Sequence, residues 1–316
     1  MKHLATRYGP WLLVLLLALG FLLLGSGLDF DYIIPKRLTR LAAMGIAGVC
    51  IAYSSVIFQT IAGNRLLTPA IMGYEAIYLL FQALLILVLG TQSLVLLGRD
   101  GNVLLSVLLM LGYSWLLHRW LLRDGSHNVY LLLLLGLVLS MVMGTFTQFI
   151  QLKISPGEFS IFQGFNYASF NKAQTGQVIY SGVLVAVVCF IAQRTLPVLD
   201  VLALGRDQAI SLGVDYPRSV RLQLALIAVL VAVSTSLVGP TAFMGVFVAN
   251  IAYALARTTR HRVTLPLGCA IAIGIFIIAQ YLVEQWFNYN TSVSILINLL
   301  CGVYFLALMI RTRGTA

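Results

Sequence analysis

The chain has 316 residues, of which 60% are hydrophobic and only 9% are charged. Soluble domains carry about 25% charged residues, so this composition excludes an ordinary water-soluble globular protein. The formal net charge of +10 fits the basic cytoplasmic loops of a membrane protein better than a nucleic-acid-binding surface. Apolar runs of about 20 residues recur along the chain, and each is long enough to cross the hydrocarbon core of a bilayer.

These runs predict an all-α polytopic membrane protein with about ten transmembrane helices. The first begins at Trp11, after basic residues that resemble the start of a signal peptide, but no small-residue cleavage site follows, so we expect it to remain a span. Prolines lie near many proposed ends, and Pro197 is expected to follow the end of the sixth helix. The predicted spans are residues 11–26, 38–59, 70–90, 101–121, 129–151, 174–194, 220–238, 241–256, 264–284 and 293–311.

The distribution of basic residues predicts the orientation of the chain. If the N-terminus lies inside, only a minority of the 20 lysines and arginines fall in outer segments. Cytoplasmic loops of membrane proteins are enriched in basic residues, so this bias predicts an even number of spans and two cytoplasmic termini. The outer basic residues are Lys36, Arg37, Arg40, Arg99, Lys153 and Lys172.

A polar segment at residues 200–213 interrupts the apolar runs on the predicted cytoplasmic side. Gly205 and Gly213 bracket it, and Gly213 fits the residue just past a helix C-terminus, where φ is positive. The segment is either an ordinary structured loop or a short rigid helix on which a soluble partner pushes. Three of its side chains are expected to lie loosely on one face: Leu204, Ala209 and Leu212.

The longest outer segment, residues 152–173, is rich in aromatic side chains. It forms either an interfacial or re-entrant helix seated by its rings at headgroup depth, or an aromatic gate for a bulky substrate. The rings belong to Phe159, Phe162, Phe165, Tyr167 and Phe170.

The sequence contains no recognisable catalytic motif. None of its lysines follows a glycine, so it has no P-loop, and it has no G-x-S-x-G elbow. Its cysteines lie far apart in apolar runs and are expected to be small buried hydrophobes. We therefore expect no enzyme, no metal site and no directly bound cofactor. The histidines lie at termini or loop edges, where solvation is expected: His3, His118, His127 and His261.

Charges inside the predicted spans are scarce, which argues against an ion-coupled secondary transporter. Glu284 lies at the outer end of the ninth helix. Glu75 lies just inside the third helix, where it is expected at the membrane edge or paired with a base such as Arg65, a proton site being the alternative.

Three blocks of sequence resemble the FecCD-type permeases of ABC importers for iron–siderophores and cobalamin. The first is the L-G-x-x-x-A-x-x-L-G coupling motif, matched by Leu204, Gly205, Ala209, Leu212 and Gly213. Residues 64–73, N-R-L-L-T-P-A-I-M-G, resemble the family's N-P-L-A-x-P-x-x-L-G. Residues 239–245, G-P-T-A-F-M-G, resemble its G-P-I-G-F-x-G, although Ala-Asn replaces Pro-His at 249–250. The last two blocks each place proline and then glycine at a helix entry, which suggests a duplicated plan.

The resemblance implies one transmembrane permease domain over residues 1–316, with type II ABC importer architecture, in a bacterial inner membrane. It would work with a second permease, identical or paralogous, with two ATPases that bind ATP and Mg, and with a periplasmic or lipoprotein substrate-binding protein. Its cargo would be a ferric siderophore, of catecholate type from the N-R-L-L-T-P form. Cobalamin, haem or another metal chelate is the alternative cargo.

The resemblance also assigns roles to residues. Arg37 and Arg40, in the family's R-L-P-R position, would dock the binding protein, although they could instead cap the second helix at the headgroups. The element at 200–213 would contact the ATPase through Leu204, Gly205, Arg206, Ala209, Leu212 and Gly213. A large cargo suits a wide pathway of amides, hydroxyls and rings, although buried amides also join helices. The pathway candidates are Ser54, Ser55, Gln59, Gln148, Gln151, Phe162, Phe165, Ser294 and Asn298.

Overall fold

The computed structural model describes residues 2–24, 29–90, 98–121, 129–241 and 243–313. Within these ranges the chain forms twelve α-helices and two 3-10 turns, Pro69–Met72 and Phe170–Lys172. The helices are α1 (Lys2–Leu23), α2 (Ile33–Ala62), α3 (Tyr74–Leu89), α4 (Gly98–Leu121), α5 (Val129–Gln151), α6 (Pro156–Asn166), α7 (Thr175–Leu202), α8 (Arg206–Ser211), α9 (Tyr216–Leu237), α10 (Met244–Ala256), α11 (His261–Gln285) and α12 (Val293–Arg313).

Ten of these helices coincide with the ten predicted spans, which confirms the predicted fold class. Six described helices are long and apolar enough to cross a membrane, and four shorter apolar ones correspond to α1, α3, α10 and α12. The remaining two are the short helices α6, in the outer segment, and α8, in the polar segment at 200–213.

The prediction that the sixth span ends before Pro197 is wrong. Helix α7 continues through this proline to Leu202. A proline removes one helical hydrogen bond, and helices in membrane proteins tolerate that loss because neighbouring groups compensate. The first residues of the segment 200–213 therefore belong to α7, and α8 follows after a break of only a few residues.

Helix α2 forms the centre of the bundle and packs against α7, α9, α10 and α11. Within their apolar stretches, 72% of the residues of α2 and of α9 are buried, against 28% in α4 and α5, which lie at the periphery. Gly48 allows α2 to approach α11 closely, since a Cβ atom there would lie 2.7 Å from Ile273 Cγ1. Small residues permit this kind of close helix packing in membranes.

A buried ion pair joins the outer ends of α1, α2 and α11. Arg37 Nη2 donates to Glu284 Oε1 at 2.9 Å, and Arg37 Nη1 donates to the carbonyls of Phe21 at 2.8 Å and Leu24 at 2.6 Å. The Arg37 side chain is only 6% exposed. In this conformation the Arg37 guanidinium is bonded within the chain and is not presented to a soluble partner, so docking through Arg37 stays a prediction.

Replacing Glu284 with Ala should destabilise the bundle. The substitution removes the carboxylate from a buried guanidinium, and breaking one side of such a pair costs about 3–5 kcal/mol. Cys50, Cys269 and Cys301 are free and buried, so a thiol-reactive fluorophore reports unfolding of the detergent-solubilised protein during a thermal ramp. We expect a clearly lower unfolding midpoint for Glu284→Ala.

The control is Asp31→Ala, which removes an exposed carboxylate close to the same end of α2. Equal unfolding midpoints for the two variants would show that the Arg37–Glu284 pair does not hold the helices together.

Candidate translocation pathway and coupling element

A cavity of about 930 Å³ is bordered on one side by the first 3-10 turn and α3. Helices α5, α10 and α12 form the rest of its wall. Gly136 of α5 lets the 3-10 turn approach this wall, since a Cβ atom there would lie 2.8 Å from Met72 Cα. The cavity is large enough for a substantial organic ligand, as such sites measure about 300–1,000 Å³. Its polar lining residues are Thr68, Glu75, Ser140, Thr147, Gln148, Gln151, Asn166 and Asn298, with the tyrosine ring of Tyr304.

Glu75 is the one carboxylate among the described residues that line this cavity. Its Oε1 atom accepts a hydrogen bond from the backbone N–H of Thr241 at 3.0 Å. Thr241 lies in the non-helical break between α9 and α10, just after Pro240. The expected pairing of Glu75 with Arg65 is wrong, because the Arg65 guanidinium instead stacks 4.8 Å from the Tyr253 ring centre.

The two proline–glycine helix entries therefore meet at the cavity. One leads through the 3-10 turn and Gly73, which has φ 85°, into α3. The other contains Gly239, whose φ is 111°, and leads into α10. Irregular backbone is tolerated at membrane depth where it is covered by protein or lines a cavity, and the Glu75–Thr241 hydrogen bond satisfies one N–H group that the second break leaves without a helical partner.

The structure brings together only some of the predicted pathway residues. Gln148, Gln151 and Asn298 line the large cavity. Ser54 and Ser55 are buried beside a much smaller space of about 30 Å³, and Phe165 lines a separate cavity of about 250 Å³.

Three other predicted pathway residues are buried away from these cavities. Gln59 is 3% exposed inside the α2 region, and its side-chain amide has no hydrogen-bond partner in the described protein. Phe162 is fully buried against α3 and α5. Ser294 accepts a hydrogen bond from the Ala168 N–H at 2.5 Å, which fixes the outer segment to α12. The sequence alone could not separate these structural roles from a pathway role, because it does not show which side chains face a cavity.

The outer segment 152–173 contains a helix, α6. Ser155 and Glu158 form a reciprocal capping box at its start, with the Ser155 N–H donating to Glu158 Oε2 at 2.8 Å. These hydrogen bonds favour the ionised carboxylate and lower the pKa of Glu158. Phe162 and Phe170 are fully buried inside the protein, whereas Tyr167 is 41% exposed and Phe165 lines a cavity. The interfacial and gate interpretations of this segment both stay predictions.

Helix α8 protrudes as a compact element after α7 and packs against α7 and α9. Gly205, with φ 101°, precedes it, and Gly213, with φ 83°, ends it. The Gly213 N–H donates to Ile210 O at 2.9 Å and the Val214 N–H to Ala209 O at 3.0 Å. This is the hydrogen-bond pattern of a Schellman C-cap and confirms the positive φ predicted for Gly213.

Helix α8 buries one side chain, and the apolar side chains around that residue are exposed. Ala209 is fully buried, whereas Leu204 is 54%, Ile210 50% and Leu212 63% exposed. The expectation that Leu204, Ala209 and Leu212 share one face is therefore wrong. Leu204 and Leu212 lie outside the helix, where chain direction, rather than helical spacing, sets their orientation.

A buried histidine lies close to this element, contrary to the expectation of solvation. His261, the first residue of α11, is 1% exposed and contacts Asp200 of α7 and Thr60 of α2. No local sequence signal indicated this burial, because it depends on Asp200, 61 residues away along the chain. His127 lies outside the described residues, as do the side chains of His3 and His118.

An all-α bundle of apolar helices, with a large cavity and a separate short helix, defines a polytopic α-helical membrane protein. The chain belongs to the FecCD transport family, which it matches over residues 11–311. It is 35% identical over 283 residues to the petrobactin import system permease protein YclO of Bacillus subtilis (strain 168), with 90% of each chain covered. It is 34% identical over 329 residues to the petrobactin import system permease protein FatC of Bacillus anthracis, with 99% of this chain and 91% of that protein covered.

A solved ABC transporter structure in an inward-facing conformation has the same fold. It superposes with a TM-score of 0.85 at 20% identity and covers 96% of this chain and 98% of that one. The protein is therefore a multi-pass inner-membrane permease of type II ABC importer architecture. It is not an enzyme, because ATP hydrolysis in this family belongs to a separate ATPase subunit. Its assembly also includes a second permease and a substrate-binding protein.

Filling the large cavity should block transport without preventing folding. In the assembled importer, Gln148→Trp is expected to lower cargo uptake on the order of tenfold, because the indole occupies space that a bulky ligand needs. The matched control is Phe149→Trp at the neighbouring position, where the side chain is 59% exposed and is not among the cavity residues. If both variants transport at the wild-type rate, the cavity is not part of the pathway.

Proposed function

We propose that this chain forms the membrane pathway for a ferric siderophore in an ABC importer driven by ATP hydrolysis on a partner. The observation that carries this proposal is the 930 Å³ cavity, whose mostly apolar wall also presents amides and hydroxyls, with a single carboxylate among its described lining residues. Uncharged polar groups can accommodate a bulky chelate without the desolvation cost of a charged cage. The two relatives, both named as petrobactin import permeases, support the same class of cargo.

The catecholate type is the finer part of this proposal and rests on the N-R-L-L-T-P form at 64–69. This stretch leads directly into the cavity, since Leu66 and Thr68 belong to its wall. The test is competition for uptake in proteoliposomes that contain the complete importer. A ferric catecholate should displace labelled cargo, and a ferric hydroxamate, haemin or cobalamin should not. Preferential displacement by one of the latter would reassign the cargo.

The second permease, identical or paralogous, is proposed to pack beside α5 and α12. Both helices border the cavity, and both also present exposed apolar side chains, such as Met141 at 66%, Leu299 at 63% and Val303 at 61%. A second subunit on this side would close the cavity laterally against lipid and would place the pathway between the two permeases.

Helix α8 is proposed as the contact for the ATPase. Exposed apolar side chains in a cytoplasmic loop are typical of a protein interface, and here they surround a short helix that ends in a Schellman cap. Leu204, Ile210 and Leu212 would enter the ATPase surface. Gly205, Ala209 and Gly213 would fix the shape of the element, and Arg206 would add an exposed charge at its first turn.

Leu212→Asp should release the ATPase. The change places a charge in a desolvated apolar contact, and truncation or replacement of such an anchor costs about 2 kcal/mol or more of binding energy. Co-purification of the ATPase with the tagged permease should fall strongly, while permease yield stays unchanged.

The matched control is Leu152→Asp, which alters a leucine that is 85% exposed at the opposite, outer end of the protein. Undiminished co-purification of the ATPase with Leu212→Asp would remove Leu212 from the interface.

Arg40 is proposed as the docking residue for the substrate-binding protein, in place of the pair predicted from sequence. Its side chain is 23% exposed, and its Nη1 atom lies 3.5 Å from Glu284 Oε2 and 3.3 Å from the Tyr289 hydroxyl. Arg37 would act indirectly, by holding Glu284 in place below it.

Arg40→Gln should weaken association with the binding protein on the order of tenfold at low salt, because a rim charge would be lost. The difference from wild type should shrink at high salt, since exposed charges are screened. The control is Lys153→Gln, which removes another outer cation, one that lies 5.9 Å from the Phe149 ring centre. Equal affinities for Arg40→Gln and wild type at low salt would refute the docking role.

A further inference from the structure

A chain of hydrogen bonds joins three helices at their cytoplasmic ends. Asp200 Oδ1 accepts from the His261 backbone N–H at 3.0 Å and lies 2.5 Å from His261 Nδ1. On the other side of the ring, His261 Nε2 lies 2.8 Å from Thr60 Oγ1. The His261 ring is enclosed by protein, whereas the Asp200 side chain is 37% exposed at the cytoplasmic end. Asp200, His261 and Thr60 belong to α7, α11 and α2, and we call them the cytoplasmic relay.

The cytoplasmic relay compensates for a missing helix cap. Arg260, at the N-cap position of α11, makes no capping hydrogen bond with its side chain. The first N–H groups of a helix have no partner within the helix, and the carboxylate of Asp200 accepts one of them from a different helix. A negative charge at a helix N-terminus is also favoured by the helix dipole. The position of α11 is thereby tied to the end of α7.

The end of α7 is also the attachment point of α8. Asp200 lies in the last turn of α7, and α8 begins at Arg206 after a short turn. The turn is tightly bonded, since the N–H groups of Leu204 and Gly205 donate to the carbonyls of Val201 and Leu202, both at 3.1 Å. A displacement of α8 therefore moves the last turn of α7, which carries Asp200.

The other end of the relay leads to the cavity. Thr60 lies in the last turn of α2, and its hydroxyl donates to the Val56 carbonyl at 2.8 Å. The segment that follows α2 contains Leu66 and Thr68, which line the 930 Å³ cavity. The relay thus lies between the last turn of α7, which leads into α8, and the last turn of α2, from which the chain continues to the wall of the cavity.

We propose that His261 is a positioning residue for transport, which transmits movement of α8 through Asp200 and Thr60 to α2, α11 and the cavity wall. Hydrogen bonds suit this task because they are directional, whereas apolar helix contacts permit sliding. The inference rests on the proposed function, in which the ATPase acts on α8. It adds the internal path by which this action reaches the pathway.

The test compares substitutions of Thr60 that remove or keep its hydroxyl while changing the size of the side chain little. Thr60→Val loses the contact with His261, and Thr60→Ser keeps it. The complete importer is reconstituted in proteoliposomes with its ATPase and binding protein, and cargo uptake and ATP hydrolysis are measured together. For Thr60→Val, and for His261→Phe, we expect transport per ATP hydrolysed to fall about fivefold or more, the lower range of measured site-to-site coupling. Hydrolysis and ATPase co-purification should remain, and Thr60→Ser should restore the ratio.

The matched control is Thr264→Val in the first turns of α11. Thr264 is fully buried, and its hydroxyl donates along its own helix, to the Arg260 carbonyl at 3.4 Å, just as the Thr60 hydroxyl donates to the Val56 carbonyl. The inference is overturned if Thr60→Val keeps the wild-type ratio, or if it reduces uptake and hydrolysis in proportion, as a general loss of folded protein would.

The same assay separates this inference from the proposed function. Leu212→Asp tests contact between α8 and the ATPase without touching the relay. If Leu212→Asp disrupts the assembly while Thr60→Val and His261→Phe stay coupled, only the relay is wrong. If Leu212→Asp leaves binding and transport intact, the proposed role of α8 fails first, and the relay has nothing to transmit.

Discussion

The structure depends on one constraint, that backbone N–H and C=O groups in the hydrocarbon region must find partners inside the protein. Long helices satisfy this requirement along most of the chain. The two breaks, before α3 and before α10, satisfy it by meeting each other, with Glu75 accepting the N–H of Thr241 at 3.0 Å. Because the breaks are covered on one side and face a cavity on the other, the requirement that shapes the helices also places polar groups where a ligand can pass.

The same requirement explains why the ionisable groups of this chain are shared between helices. Arg37 bonds to carbonyls at the end of α1 and to a carboxylate of α11. Asp200 of α7 caps α11, and His261 extends that contact to α2. Each group adds polar contacts between helices that also pack through apolar side chains. The Arg37–Glu284 pair holds the outer ends of the helices in fixed positions. The cytoplasmic relay lies between α8, the proposed contact for the ATPase, and the wall of the cavity.

Local features were predictable from sequence, and partnerships between distant residues were not. Apolar runs predicted the ten long helices, and Gly213 predicted a positive φ that the structure confirms. Pro197 misled because a single lost hydrogen bond does not end a packed helix. The burial of Arg37 and His261 depends on Glu284 and Asp200, 247 and 61 residues away along the chain, and no spacing pattern reveals such pairs. Among the polar pathway candidates, helical period could not distinguish Gln148, which faces the cavity, from Gln59, which lies inside the bundle.

The most direct test of the account is whether transport of cargo through this protein requires ATP hydrolysis by a partner subunit. Proteoliposomes with the purified chain alone should be compared with proteoliposomes that also contain the second permease, the ATPase and the binding protein, with labelled ferric catecholate outside and ATP inside. The account predicts accumulation against a gradient only in the complete assembly, and its loss when ATP is replaced by a non-hydrolysable analogue. Accumulation by the chain alone, driven by a proton or sodium gradient, would contradict it.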